Sequence, residues 1–141
     1  VVGVNKGVVS IEIVLTDFTG GGNGNHDTSV TINWDLKSNR LLKNNELFCN
    51  HNYIEKLIPL TEDSIFKNLY GSDYVKNFVP NENDSWTKKG IANEVDNWDN
   101  FLITNSGLVV VFQPYRVASG ASGVVRAFID NKDIPNLICL P

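Results

Sequence analysis

Two segments near the start of the chain alternate apolar with polar residues, which is the pattern of a strand buried on one face. We predict that the inward side carries the apolar residues Val9, Ile11, Ile13, Leu15, Val30, Ile32, Trp34 and Leu36. The polar residues between them are predicted to face solvent, among them Ser10, Glu12, Thr31, Asn33 and Asp35. The glycine-rich stretch 20–26 separates the two segments, so we expect an antiparallel pair joined by a flexible loop.

The middle of the chain changes to helical spacing. Asn52 can cap a helix, Glu55 follows three residues later, and apolar residues then recur at helical intervals up to Gly71, which can end the helix. Pro59 lacks a backbone N–H, and its ring clashes with the preceding turn. A kink or break is therefore expected at Pro59, with the helix restarting near Thr61.

The second half of the chain is predicted to contain a short helix at 73–78, an exposed loop at 81–90, and strands at 101–104, 108–112 and 124–129. Asn105-Ser106-Gly107 has the residues of a hairpin turn. The order ββ-α-βββ predicts an α+β fold, with a mainly antiparallel sheet of about five strands and one kinked helical segment packed on one face. We expect residues 1–141 to form a single domain.

Composition narrows the class of protein. The 141 residues are 42% hydrophobic and 20% charged, which is typical of a soluble globular domain. The formal net charge of −4, without a Lys/Arg cluster, argues against nucleic acid as a partner. No apolar run approaches the ~20 residues that span a bilayer, so we predict no membrane insertion. Because Val1 begins the sequence without a signal segment, we expect an excised or mature fragment.

Two features leave alternatives open. Cys49 and Cys139 lack the spacing of a metal site, and they are either paired in a disulfide or two buried free thiols. We predict the disulfide only if their α-carbons come within ~7 Å. The chain also contains 19 asparagines. These residues either build turns and caps or form an amide-rich surface that contacts a glycan.

No catalytic set is assembled in the sequence. The glycine-rich stretch lacks the Gly-Lys-Ser/Thr ending of a phosphate loop, and His26 stands where a calcium-binding repeat needs Asp. Acid pairs such as Asp96 and Asp99 could hydrolyse a glycoside, but 16 acidic residues produce such pairs by chance. We therefore predict no catalytic residue, no metal and no cofactor, and we lean against an enzyme.

Two stretches resemble a known family. Residues 8–48 contain Thr19-Gly20-Gly21-Gly22, and residues 98–123 contain Phe112-Gln113-Pro114-Tyr115-Arg116-Val117-Ala118. Both stretches are similar to an uncharacterised domain of bacterial envelope proteins. That domain forms the lysozyme-recognising outer part of RsiV-type anti-sigma factors and a non-catalytic region of PdaC-type peptidoglycan deacetylases.

The resemblance implies a non-enzymatic, extracytoplasmic domain, secreted or anchored outside the membrane, that binds lysozyme or a peptidoglycan fragment. The alternatives are a peptidoglycan-active hydrolase and a deacetylase accessory or structural positioning domain. Tyr115 can instead have a structural role at a strand-end corner, its ring packed and its hydroxyl bonded to a loop carbonyl. The candidate ligand-binding residues are Gly22, Asn23, Asn25, His26, Gln113, Tyr115 and Arg116.

Overall fold

The computed structural model describes residues 2–18, 25–71 and 82–140. The predicted short helix at 73–78 lies outside these ranges. The strands and α-helices in chain order are β1 (Val2–Asn5), β2 (Val8–Phe18), β3 (Asn25–Asp35), β4 (Arg40–Leu41), α1 (Tyr53–Tyr70), α2 (Glu82–Gly90), β5 (Phe101–Ile103), β6 (Gly107–Phe112) and β7 (Val125–Asp130).

The described strands form two antiparallel sheets, and the predicted α+β class is confirmed. The first sheet has the order β1-β2-β3-β4 and the second has the order β5-β6-β7. The central pair of the first sheet is continuous from Val8 opposite Asp35 to Phe18 opposite Asn25. The short strands β1 and β4 add to the strands expected from the sequence, and they are too brief to show an alternating pattern.

Helix α1 packs against β7 of the second sheet and buries Leu57 and Ile65 completely. It runs through Pro59 rather than restarting near Thr61, because the proline lies on the exposed side between these two buried anchors. The helix ends as predicted at Gly71, which has a φ of 88° and donates its N–H to the carbonyl of Lys67. Asn52 occupies the N-cap position, but its side chain makes no capping hydrogen bond.

The first sheet turns its polar face toward the rest of the protein. Ser10, Ser29 and Asn33 are at most 2% exposed, whereas Leu15 is 58% and Val30 is 45% exposed. The predicted orientation of these two strands is therefore wrong. The burial follows from what lies against this face, which is the edge strand β5 of the second sheet.

Polar side chains of the first sheet satisfy the free backbone edge of β5. The Ser10 hydroxyl accepts a hydrogen bond from the backbone N–H of Ile103 at 3.0 Å, and Asn33 Nδ2 donates to the carbonyl of Phe101 at 3.0 Å. The Thr31 hydroxyl accepts from the N–H of Phe101 at 3.1 Å. Because a buried backbone group without a partner costs stability, this face of the first sheet has to be polar.

The C-terminal segment is fixed by the disulfide between Cys49 and Cys139, whose α-carbons are 4.9 Å apart. This excludes the alternative of two free thiols. Backbone hydrogen bonds of 2.9 Å join Cys49 to Leu137 and Cys139 to Leu47 on either side of the bridge. Both half-cystines are exposed, while the neighbouring Phe48 is buried against the aromatic core.

Candidate functional site

The polar segment 81–90, predicted as an exposed loop, contains the helix α2. Two described side-chain hydrogen bonds attach this helix to the segment that follows β6, and such bonds leave no apolar period in the sequence that would predict a helix. Trp86 Nε1 donates to the carbonyl of Tyr115 at 2.5 Å, and the buried Thr87 hydroxyl donates to the carbonyl of Val117 at 2.7 Å. At the end of α2, a Cβ on Gly90 would lie 2.2 Å from the carbonyl oxygen of Arg116, so only glycine permits this approach.

The segment that follows β6 supplies the other wall of the site. Gln113 donates its amide to the carbonyl of Ser29 and accepts from the backbone N–H of Ser29 at 3.0 Å, so it ties this segment to β3. The chain then turns, with the N–H of Arg116 bonded to the carbonyl of Gln113 at 3.1 Å. Tyr115 adopts a φ of 66°, a left-handed conformation that is uncommon for a bulky residue.

An open groove of about 380 Å³ lies between α2 and this turn, and it is lined by Trp86, Lys89, Gly90, Gln113, Pro114, Tyr115 and Arg116. The ring centroids of Trp86 and Tyr115 are 6.3 Å apart, with an angle of 31° between the planes. The Tyr115 side chain also covers Gly120, where a Cβ would lie 2.1 Å from Cζ of the ring. Tyr115 nevertheless remains 51% exposed, so it packs as a corner residue and still presents apolar surface to the groove.

Two cations complete the groove. Lys89 and Arg116 are both exposed, and neither makes an ion pair with a residue in the described parts of the chain. Arg116 Nη1 donates to the neutral Asn97 Oδ1 at 3.0 Å, which fixes the guanidinium without cancelling its charge. An aromatic pair beside two available cations can accept a ligand that combines an apolar ring face with a carboxylate or phosphate.

Two acidic residues, Asp96 and Asp99, follow α2 in the sequence, and Asp99 interacts electrostatically with Arg116 of the groove. Burial raises the pKa of Asp99, the negative charge of Asp96 raises it further, and the positive charge of Arg116 partly offsets both effects.

In the described residues, no group of three or more His, Cys, Asp or Glu side chains could hold a metal ion. No helix in the described ranges is long and apolar enough to cross a membrane.

The structure brings three of the predicted site residues together, namely Gln113, Tyr115 and Arg116. Asn25 and His26 lie at the far end of β3, where their backbones pair with β2. Gly22 and Asn23 lie outside the described residues. Trp86 and Lys89 were not identified as site residues from the sequence. The one signal in the sequence that could have indicated them is the isolated tryptophan in a polar stretch.

Fold and groove thus define an α+β domain with an open aromatic and cationic site. Residues 39–132 match the family described as protein of unknown function (DUF3298), and the chain belongs to that family. A search of curated proteins finds no match.

Two solved structures of DUF3298 proteins share the fold. The chain is 20% identical to a member from Bacteroides fragilis NCTC 9343, with a TM-score of 0.68, and the match covers 96% of this chain and 50% of that one. For a member from Pseudomonas aeruginosa PAO1, the identity is 14%, the TM-score is 0.65, and the coverage is 94% and 56%. The chain therefore spans about half the length of these solved relatives.

Proposed function

We propose that this chain is a non-enzymatic, extracytoplasmic domain of the bacterial cell envelope that binds a peptidoglycan fragment. The observation that carries the proposal is the groove between Trp86 and Tyr115, with Lys89 and Arg116 at its side. Its volume of about 380 Å³ is in the range of small-ligand sites, and a groove open to solvent suits one piece of a longer polymer.

The chemistry of a peptidoglycan fragment fits these groups. The C–H face of a sugar ring packs against aromatic side chains such as Trp86 and Tyr115, which bury apolar area at little cost in side-chain entropy. The peptide that is attached to the sugar carries free carboxylates, and these can pair with Lys89 and with the guanidinium of Arg116. The hydrogen bond from Arg116 to Asn97 holds that guanidinium in place before the ligand arrives.

The disulfide supports a location outside the cytoplasm, because disulfides persist in oxidising compartments and are rare where thiols are kept reduced. The resemblance of residues 8–48 and 98–123 to the domain in RsiV-type and PdaC-type proteins supports the same location. That resemblance also makes a wall-active protein such as lysozyme a second candidate partner. The net charge of −4 would favour its approach if that protein is basic.

Calorimetric titration of the 141-residue chain with a muropeptide and, separately, with lysozyme tests the proposal. Muropeptide binding is expected to fall a few-fold in Lys89→Gln, which loses an ion pair at the solvent-exposed groove. The matched control is Lys88→Gln, because Lys88 is a neighbour that is also exposed and does not line the groove.

The aromatic contribution is tested with Tyr115→Asn, since asparagine tolerates the left-handed backbone at this position. We expect this variant to keep its thermal unfolding midpoint within a few degrees and to lose muropeptide affinity. Absence of muropeptide binding to the wild-type chain would refute the proposed ligand, and binding of lysozyme alone would favour the second partner. Cleavage of the muropeptide during titration would show an enzyme instead.

A further inference from the structure

The outer face of the first sheet, which points away from β5, is almost entirely apolar. Strand register places on it Val4, Val9, Ile11, Ile13, Leu15, Val30, Ile32, Trp34 and Leu41. The polar residues that the strand register places on this face are Thr28, opposite Leu15, and the facing pair Asp17 and His26 at the end of the sheet. An exposed apolar surface of this kind marks an interaction site.

The shape of this outer face fits one helix. The apolar rows of β2 and β3 lie side by side, and with strands ~4.8 Å apart they form a stripe about 10 Å wide, which Val4 and Leu41 widen at the end near Val9. From Val9 to Leu15 the stripe extends about 20 Å. An α-helix is about 10 Å in diameter and covers 20 Å with about 13 residues. A second sheet would need a broad surface, but four strands lie side by side only where β1 and β4 flank the central pair.

The area of the outer face indicates where the helix comes from. The six most exposed side chains of the face are between 36% and 58% exposed, which corresponds to an apolar surface on the order of 500 Å². An interface between separate molecules usually needs ~800 Å² from each partner. A helix in the same polypeptide needs less, because it loses no translational and rotational freedom on docking. The match covers 50% and 56% of the two solved DUF3298 chains, so each of them contains additional polypeptide of a length that can supply such a helix.

We infer that the outer face is the docking surface of one amphipathic α-helix that belongs to the same polypeptide and lies outside residues 1–141. The helix has an apolar stripe at i, i+3, i+4 and i+7 against the sheet and polar residues toward solvent. This inference is independent of the groove and of the ligand proposed for it.

The experiment joins an 18-residue helix to Val1 through a flexible Gly-Ser linker. One fusion has a leucine stripe, and the control fusion has the same residues in scrambled order. We expect the striped helix to lower the fluorescence of a bound hydrophobic dye several-fold and to raise the thermal midpoint by several degrees. The scrambled helix should change neither quantity.

Two substitutions locate the effect. Ile13 and Val14 are each 43% exposed and lie on opposite faces of β2, so Ile13→Lys and Val14→Lys are matched in position and exposure. In the Val14→Lys chain, the striped helix should still lower the dye fluorescence and raise the thermal midpoint. In the Ile13→Lys chain, it should change neither quantity. Equal behaviour of the striped and scrambled fusions would overturn the inference. A stable dimer of the unfused chain that Ile13→Lys breaks and Val14→Lys preserves would identify a second copy as the occupant and overturn it as well.

Discussion

Arg126 on β7 clamps Glu12 on β2 and so connects the two sheets across 114 positions of sequence. Arg126 Nη2 lies 2.7 Å from Glu12 Oε1, and Nε lies 3.0 Å from both carboxylate oxygens. The Glu12 side chain is fully buried, and the Ser29 hydroxyl donates to it at 2.6 Å. The Arg126 side chain keeps 38% of its surface exposed, so the pair lies at the margin between the sheets.

Removing the arginine leaves a buried carboxylate without its counter-charge. We expect Arg126→Ala to lower the free energy of unfolding by about 3 kcal/mol, which is the usual cost of breaking a buried pair from one side. Urea unfolding at pH 7 measures this loss. The control is Arg40→Ala, which breaks the exposed pair with Glu46 and should cost less than ~1 kcal/mol. Equal losses in the two variants would contradict the importance of burial.

The same carboxylate makes stability depend on pH. Burial raises the pKa of Glu12, but hydrogen bonds from Arg126 and Ser29 and the charge of Arg126 outweigh it, so the net pKa lies below the ordinary 4.5. A lowered pKa in the folded state stabilises the fold above the unfolded-state value, and this stabilisation disappears as the pH falls through the folded-state value.

We therefore expect the free energy of unfolding to drop when the pH is lowered from about 5.5 to about 3. Glu12→Gln should reduce that drop, because its amide cannot titrate. Urea unfolding of both chains at the two pH values provides the measurement. If the two chains lose the same stability on acidification, Glu12 is not the group responsible.

The disulfide should contribute strongly to stability, because it closes a loop of 90 residues. In the chain-entropy description, a loop of this length stabilises the fold by up to ~4–5 kcal/mol. Both sulfur-bearing residues are exposed, so a phosphine reductant can reach them. We expect reduction to lower the urea midpoint of the wild-type chain. The double variant Cys49→Ala/Cys139→Ala should begin at that lower midpoint and show no response to the reductant.

Much of the fold could be predicted because its signals are local. The helical spacing of apolar residues in α1 and its end at Gly71 are visible among residues close together in the sequence. The hairpin from β5 to β6 is marked by its turn residues. The orientation of β2 and β3 is not local. Ser10 and Asn33 are buried because they bond to Ile103 and Phe101, which lie 93 and 68 positions away. Alternation separates the two sides of a strand, but it does not say which side meets a backbone edge.

The candidate site divides in the same way. Gln113, Tyr115 and Arg116 are consecutive or nearly so, and a single motif was enough to group them. Trp86 and Lys89 join them through α2, which is attached by hydrogen bonds to the carbonyls of Tyr115 and Val117. Such bonds leave no apolar period in the sequence, so the wall formed by α2 could not be anticipated.

The orientation of the first sheet, with its polar face buried, can be tested directly with one substitution on each face. Asn33→Ala removes the donor to the carbonyl of Phe101 and the acceptor for the Ser10 hydroxyl, whose bond to Asn33 Oδ1 is 2.5 Å long. Leaving these buried groups unpaired should lower the free energy of unfolding by about 2 kcal/mol. Val30→Thr, on the outer face at 45% exposure, should change it by less than about 1 kcal/mol. Urea unfolding of both variants decides between the two orientations, because a core lined by Val30 would give the opposite ranking.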